Sequence, residues 1–157
     1  PDELALTYAH ALNDSIRDLP YNVVTAIHIC RGNFQSTWAA SGGYEPVAER
    51  VFNTVNVDAL FMEYDSERAG GFEPLRFVPD DKVVVLGLVT SKTPELESKD
   101  DLKRRIDEAA QYVDMERLCL SPQCGFSSTH HGNKIGEQDE IAKLRLVVEV
   151  ADEVWGS

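Results

Sequence analysis

The amino-acid sequence predicts an α/β fold built on parallel strands. Four short runs rich in apolar and β-branched residues are predicted to be strands: residues 23–28, 57–63, 83–89 and 117–120. Segments with helical periodicity alternate with these runs, which is typical of parallel strands joined by right-handed crossovers. The chain has 157 residues, of which 43% are hydrophobic. That length and composition suit one domain with its own core.

Apolar residues spaced three and four positions apart predict the helices. They recur in four segments: residues 3–17, 44–53, 99–113 and 138–155. Pro20 prevents the first helix from extending much further, and Ser98 with Asp101 predicts an N-cap box for the third. The predicted order is α-β-α-β-α-β-α-β-α, which includes one further helix between the second and third strands. Two connections that follow strands, residues 63–82 and 121–137, are longer than a βα loop needs.

Four parallel strands cannot close an eight-stranded barrel, so two architectures are compatible with this pattern. One is a compact doubly wound domain, and the other is the second half of a (β/α)8 barrel. The chain begins at Pro1 without a methionine and enters a helix at once, which favours the half-barrel. Local periodicity alone leaves both architectures open.

The charge balance excludes several classes of partner. Fifteen Lys and Arg residues against 27 Asp and Glu residues give a net charge of −12. Such a chain repels phosphate backbones and anionic bilayers, so we expect neither nucleic-acid nor membrane binding. No apolar run approaches the roughly 20 residues that a membrane span requires. Three cysteines are too few for a secreted disulfide scaffold, and we expect a cytoplasmic location.

Metal-binding residue types follow three of the predicted strands. His28 and Cys30 are two residues apart at the end of a strand, so their side chains share one face. Glu63 closes the second strand, and Cys124 follows the fourth. One imidazole, two thiolates and a carboxylate are a ligand set that selects zinc over magnesium or calcium. Cys119 lies inside the fourth strand, and we interpret it as core packing.

Four stretches resemble the cobalamin-independent methionine synthase family, most closely its shorter, single-barrel branch. They are HICRGNF (28–34), MEYDSERAG (62–70), LGLVTSK (86–92) and LSPQCGF (120–126). The resemblance implies that residues 1–157 form the C-terminal part of one zinc-binding (β/α)8 barrel whose N-terminal half is not in this chain. It also implies that the family's zinc ligands correspond to His28, Cys30, Glu63 and Cys124.

The same resemblance implies a reaction and its partners. The family transfers a methyl group from a folate to the thiol of homocysteine, forming methionine, so we expect a zinc-dependent methyltransferase that uses 5-methyltetrahydrofolate or a related donor. Larger members carry an Asp-Ile-His-Ser segment, with a His in place to protonate the departing nitrogen, where this chain has Val-Thr-Ser-Lys at 89–92. Asp65, or alternatively His130 or His131, is the predicted proton source here.

Two other functions are compatible with the sequence. One is a zinc-thiolate alkyl transferase that acts on another thiol, such as coenzyme M. The other is an inactive or regulatory fragment in which the zinc is structural, with a closed four-ligand site. In each case we expect the chain to need the N-terminal half of the barrel, because half a barrel exposes apolar edges.

Overall fold

The computed structural model describes residues 2–127 and 129–156. Within these residues the helices are α1 (Asp2–Ile16), α2 (Ala48–Thr54), α3 (Lys99–Ala109) and α4 (Glu137–Trp155). The strands are β1 (Ala26–Ile29), β2 (Asn33–Phe34), β3 (Thr37–Trp38), β4 (Ala59–Glu63), β5 (Val83–Val89) and β6 (Leu118–Pro122). The element order confirms the predicted α/β class.

The main sheet is parallel, and its strands follow one another across the sheet in chain order. Its spatial order is β1-β4-β5-β6, so each long strand lies beside the one that follows it in the chain. Right-handed crossovers between sequential parallel neighbours place the connecting helices on one face of the sheet. A doubly wound sheet would instead reverse its strand order at a switch point. The observed order is that of a barrel wall.

The two faces of the sheet differ in burial. Leu60, Met62 and Leu86 point to the helical side and are buried against helix residues such as Phe52 and Ile106. On the opposite face the register aligns a row that crosses all four strands: His28, Phe61, Val85 and Cys119. Phe61 is 36% exposed there.

The interpretation of Cys119 as core packing is wrong. Its side chain is exposed, because alternation along β6 turns Leu118 and Leu120 toward the helices and Cys119 toward the open face. In a closed barrel that face would be the interior. The residue therefore belongs to a surface that this chain alone leaves uncovered.

Most predicted boundaries hold to within a few residues, and two regions differ. The connection from β4 to β5 contains two 3-10 helices, Glu67–Ala69 and Glu73–Phe77, where the predicted order required an α-helix. Gly70 separates the two and has a φ of +74°, which a glycine adopts more readily than any other residue. The short antiparallel pair β2–β3 was not predicted at all. It is built on a turn in which Gln35 and Ser36 both have positive φ.

The start of α3 matches its prediction. The Ser98 hydroxyl accepts a hydrogen bond from the Asp101 backbone N–H at 3.3 Å, as an N-cap residue does. Across the described parts of the chain, none of the helices has the length and apolarity needed to cross a bilayer.

Candidate metal centre

The four side chains predicted as metal ligands converge at the carboxyl end of the sheet. His28 lies on β1, Cys30 directly follows it, Glu63 ends β4, and Cys124 lies two residues beyond β6. One donor atom from each lies within 4.8 Å of the other three. The structure thus brings together residues that are separated by up to 96 positions in the sequence.

Strand register explains this convergence. His28 is paired with Phe61, so Cys30 and Glu63, each two residues farther along, point to the same face one step nearer the carboxyl end. In the next row Glu63 is aligned with Gly87, and Gly87 with Ser121. Parallel strands end at one edge of the sheet, and the residue types at that edge supply the donors.

The geometry and chemistry of this donor set fit zinc. In tetrahedral zinc sites with Zn–N and Zn–S bonds of about 2.0 and 2.3 Å, ligand atoms lie about 3.3–3.8 Å from one another. The 4.8 Å limit on the donors of this chain requires only a small contraction to reach that spacing. Thiolate and imidazole donors select zinc over the hard cations.

The electrostatic environment of the two thiols favours the binding of a cation. Burial, together with the neighbouring Glu63 and Cys124, raises the pKa of Cys30 to about 11, although a hydrogen bond from the Gly32 N–H acts in the opposite direction. A hydrogen bond with His28 lowers the pKa of Cys124, and the same bond raises the pKa of His28. Three groups that become anions thus share one small volume. A divalent cation would relieve their mutual repulsion.

Glu63 is fully buried, and hydrogen-bond donors surround its carboxylate. Oε1 accepts a hydrogen bond from the Gln123 side-chain amide. Oε2 accepts one from the Arg31 backbone N–H at 3.0 Å, and the Arg31 and Arg68 guanidinium groups each lie 3.5 Å from it. These partners compensate the loss of hydration that burial of a carboxylate causes.

Tyr44 and Arg31 form hydrogen bonds with the backbone of Glu63 at the end of β4. The Tyr44 hydroxyl accepts a hydrogen bond from the Glu63 N–H at 2.8 Å and donates one to the Glu63 carbonyl at 3.2 Å. Arg31 stacks on the Tyr44 ring, 4.3 Å from its centroid, and also donates to the Glu63 carbonyl. Burial raises the pKa of Tyr44 to about 12, so the hydroxyl keeps its proton at neutral pH. The backbone that carries Glu63 is therefore tightly held.

Asp65 lies in a buried ionic cluster beside the four donors. Its Oδ2 accepts hydrogen bonds from Lys92 at 2.7 Å and from the Thr90 hydroxyl at 3.0 Å. The Arg68 guanidinium lies 3.6 Å from Oδ1 and also contacts Glu63. The proton-donor role of Asp65 stays a prediction.

His130 and His131 lie in the long loop between β6 and α4. Their rings are 3.7 Å apart, and His131 meets Phe34 edge-on at 5.5 Å. The Lys134 N–H donates to the Ser36 hydroxyl at 2.7 Å, which ties this loop to the turn between β2 and β3. The loop thus folds toward the β2–β3 hairpin. The predicted role of His130 stays a prediction.

Among the residues around Glu63 and Asp65 that the sequence analysis missed are Lys92 and Gln123. Gln123 is fully buried and contacts Glu63, and Lys92 contacts both Gln123 and Asp65. A sequence signal for both existed, because each lies three residues beyond the end of a predicted strand and within one of the stretches that resemble the family. Gln123 also immediately precedes Cys124.

A cavity of about 330 Å³ opens beside two of the four donors. His28 and Cys124 lie on one part of its wall, and Phe61, Pro122 and Phe126 supply apolar surface. A small molecule with an aliphatic portion and a metal-binding end would suit such a lining.

Comparisons with known proteins are consistent with this geometry. A family described as "Cobalamin-independent synthase, Catalytic domain" matches residues 8–153. Two uncharacterized Bacillus subtilis proteins, YxjG and YxjH, are 58% and 53% identical to the chain over 156 residues. The match covers 99% of the chain and 41% of each of these relatives. The chain thus spans about two fifths of the length of these curated relatives.

Two solved structures share the fold. A Listeria monocytogenes protein, described as a candidate vitamin-B12-independent methionine synthase, superposes with a TM-score of 0.73 at 35% identity, covering all of this chain and 43% of that one. A B12-independent methionine synthase from a Shewanella species, in complex with selenomethionine, has a TM-score of 0.70 at 21% identity. It matches 96% of this chain and 46% of that structure. The four-stranded sheet corresponds to a half-barrel of such structures.

Proposed function

We propose that this chain, which belongs to the cobalamin-independent methionine synthase family, carries the zinc site of a methyltransferase that acts on the thiol of homocysteine. The methyl donor would be 5-methyltetrahydrofolate or a related compound, and the product would be methionine. The observation that carries this proposal is the convergence of His28, Cys30, Glu63 and Cys124 within 4.8 Å at the carboxyl end of the sheet.

The chemical problem is the acidity of the acceptor. A free thiol has a pKa near 8.5, and only its thiolate is a competent nucleophile. Zinc held by these four residues would supply the positive charge that makes the thiolate the stable form of a bound substrate at neutral pH. Glu63 and the two cysteines of the site would offset that charge and so preserve electron density on the substrate sulfur.

The residues of the chain have separate tasks in this proposal. The cavity beside His28 and Cys124 would admit the methylene chain of the substrate, and Phe61 and Phe126 would exclude water from the sulfur. The departing folate nitrogen needs a proton, for which Asp65 and His130 are the proposed sources. Groups that bind the amino and carboxylate ends of the substrate would come from the N-terminal half of the barrel.

We propose zinc content and zinc-edge X-ray absorption of the full-length protein as the test, with and without homocysteine. We expect about one zinc per chain, and one additional sulfur neighbour when homocysteine is present. A protein that binds no zinc would contradict the proposal. Zinc whose neighbours no thiol changes would instead favour a structural role, and a response to coenzyme M but not to homocysteine would favour an alkyl transferase of another thiol.

A further inference from the structure

Gln123 connects the proposed metal ligand Glu63 to a buried lysine. Its side-chain Nε2 donates a hydrogen bond to Glu63 Oε1. Its Oε1 accepts hydrogen bonds from Lys92 Nζ and, at 3.1 Å, from the Ser91 hydroxyl. Gln123 is fully buried and Lys92 is 8% exposed, so little water is available to replace these bonds.

The chemistry of the two neighbours determines which way the amide of Gln123 points. A lysine ammonium offers only donors, and a carboxylate offers only acceptors. An amide has one end of each kind, so only one orientation satisfies both neighbours. Lys92 therefore holds the acceptor end of the amide and leaves the donor end facing Glu63.

Gly87 opens the path by which Gln123 reaches Glu63. In the register of the sheet Gly87 lies next to Glu63, on the strand that separates β4 from β6. A side chain at this position would place its Cβ 2.9 Å from the Gln123 Cα and 2.9 Å from the Met62 carbonyl oxygen. The Gln123 N–H donates to the Val89 carbonyl at 2.7 Å, just past the bulge in β5–β6 pairing. The backbone of Gln123 thus lies where a larger residue at 87 would collide with it.

The contacts of Glu63 give its two oxygens different environments. Oε2 lies toward the Arg31 N–H and the Arg68 guanidinium. Oε1 lies toward Gln123 and is 3.9 Å from His28 Nε2, on the side of the other proposed ligands. The hydrogen bond from Gln123 is therefore made to the oxygen that lies 3.9 Å from His28.

From these contacts we infer that Gln123 is a positioning residue of the metal centre, that Lys92 orients its amide, and that together they set the direction of the Glu63 carboxylate. The inference rests on the proposed zinc site. Because Gln123 also directly precedes Cys124, one residue links the placement of two of the four proposed ligands. Partners of this kind, which bind a ligand rather than the metal, commonly change metal affinity when they are replaced.

The test compares metal binding by variants of the full-length protein. We expect Gln123→Leu to weaken zinc affinity by about 10- to 100-fold, the range typical of such partners, as measured by competition with a chromophoric chelator. Lys92→Met is also expected to weaken zinc affinity. Since Lys92 acts through Gln123, the double variant should bind zinc no more weakly than Gln123→Leu alone.

The absorption spectrum of the cobalt-substituted protein provides a second measurement. Loss of packing alone would not shift its bands. We expect the sulfur-to-cobalt charge-transfer bands to persist in the Gln123 variants, because Cys30 and Cys124 remain, while the ligand-field bands shift as Glu63 reorients. Gln123→Glu is a second variant of the same size that keeps an acceptor for Lys92 and replaces the donor to Glu63 by a carboxylate oxygen, which would repel the Glu63 carboxylate. It should lose zinc affinity as the leucine variant does.

Lys82→Met is the matched control. Lys82 is a buried lysine before β5, at the opposite end of the strands, where its ammonium donates to the Val57 carbonyl at 2.8 Å. Its replacement should lower stability and leave zinc affinity unchanged. If the wild-type protein shows the thiolate–cobalt bands and both Gln123 variants bind zinc as tightly as it does, the inference is wrong and the proposed function still stands. Absence of those bands from the wild-type protein would overturn both the inference and the proposed function.

Discussion

At the scale of single residues, Cys119 and Cys124 show how position decides the role of a thiol. They are five positions apart, at either end of the same strand segment. Cys119 lies on the open face of β6, and partial burial against its neighbours raises the pKa of its thiol. Cys124 lies past the strand, where a hydrogen bond with His28 lowers its pKa. Only the second thiol shares a volume with other metal-binding groups.

Replacement of each thiol by serine separates these roles. We expect Cys124→Ser to reduce zinc affinity by on the order of 100-fold or more, because loss of a direct ligand should exceed the effect of losing a residue that only supports one. Cys119→Ser should leave zinc affinity unchanged, since Cys119 is not among the four residues whose donor atoms lie within 4.8 Å of one another. Zinc stoichiometry and chelator competition measure both effects. Equal losses in the two variants would refute the ligand assignment.

At the scale of secondary-structure elements, the approach of β6 to β5 depends on a glycine. Gly87 lies in the interior of β5, where a residue with a side chain would normally stabilise the strand. Its lack of a Cβ lets the Gln123 backbone and the Met62 carbonyl come close. The pairing of β5 with β6 shifts register directly after it. The absence of a side chain at Gly87 thus allows the close approach of β6 to β5 at the carboxyl end of the sheet.

We expect Gly87→Ala to destabilise the full-length protein by about 1–3 kcal/mol, the usual cost of overpacking a buried position. The added methyl group would lie 2.9 Å from two backbone atoms, which cannot move as freely as a side chain end. Gly125→Ala is the control, because its Cβ would meet nothing within 4 Å. Urea unfolding of both variants measures the difference. Equal midpoints would show that the backbone at Gly87 adjusts without cost.

At the scale of the whole molecule, several surfaces of this half-barrel lack a covering layer within the described residues. β1 and β6 are the two edges of the main sheet. An apolar groove of about 360 Å³ lies between α1, β1 and α2. On α4 an apolar stripe of three residues is 40–57% exposed: Ile141, Leu144 and Val148. Exposed edges and apolar patches of this kind favour association with another chain segment.

We therefore expect the isolated chain to self-associate or to unfold without cooperativity. The full-length protein, with an N-terminal half of the barrel, should be monodisperse and melt cooperatively, because that half would cover both sheet edges. Light scattering coupled to size exclusion, together with calorimetry, distinguishes the two. A stable monomer of the isolated chain with a cooperative transition would contradict the half-barrel interpretation of residues 1–157.

Much of the architecture follows from local sequence patterns. β5 runs over the predicted residues, 83–89, because its apolar run has clear ends. The Ser98 cap was predicted because capping depends on residues only three positions apart. The β2–β3 hairpin was missed because its strands are two residues long and its turn uses Gln35 and Ser36 rather than the glycine or asparagine that usually marks such turns.

The sequence by itself predicted that His28, Cys30, Glu63 and Cys124 meet at one edge of the sheet, because strand periodicity and parallel order place strand ends together. The structure brings one donor atom of each within 4.8 Å of the others. Only the tertiary structure decided which groups surround Glu63. Gln123 is 60 positions away from it and reaches it across a strand that has no side chain at Gly87. Such a contact depends on distances between elements in three dimensions. No periodicity within one element encodes these distances. The proposed ligands were therefore predictable from the sequence, and the hydrogen bonds that support Glu63 were not.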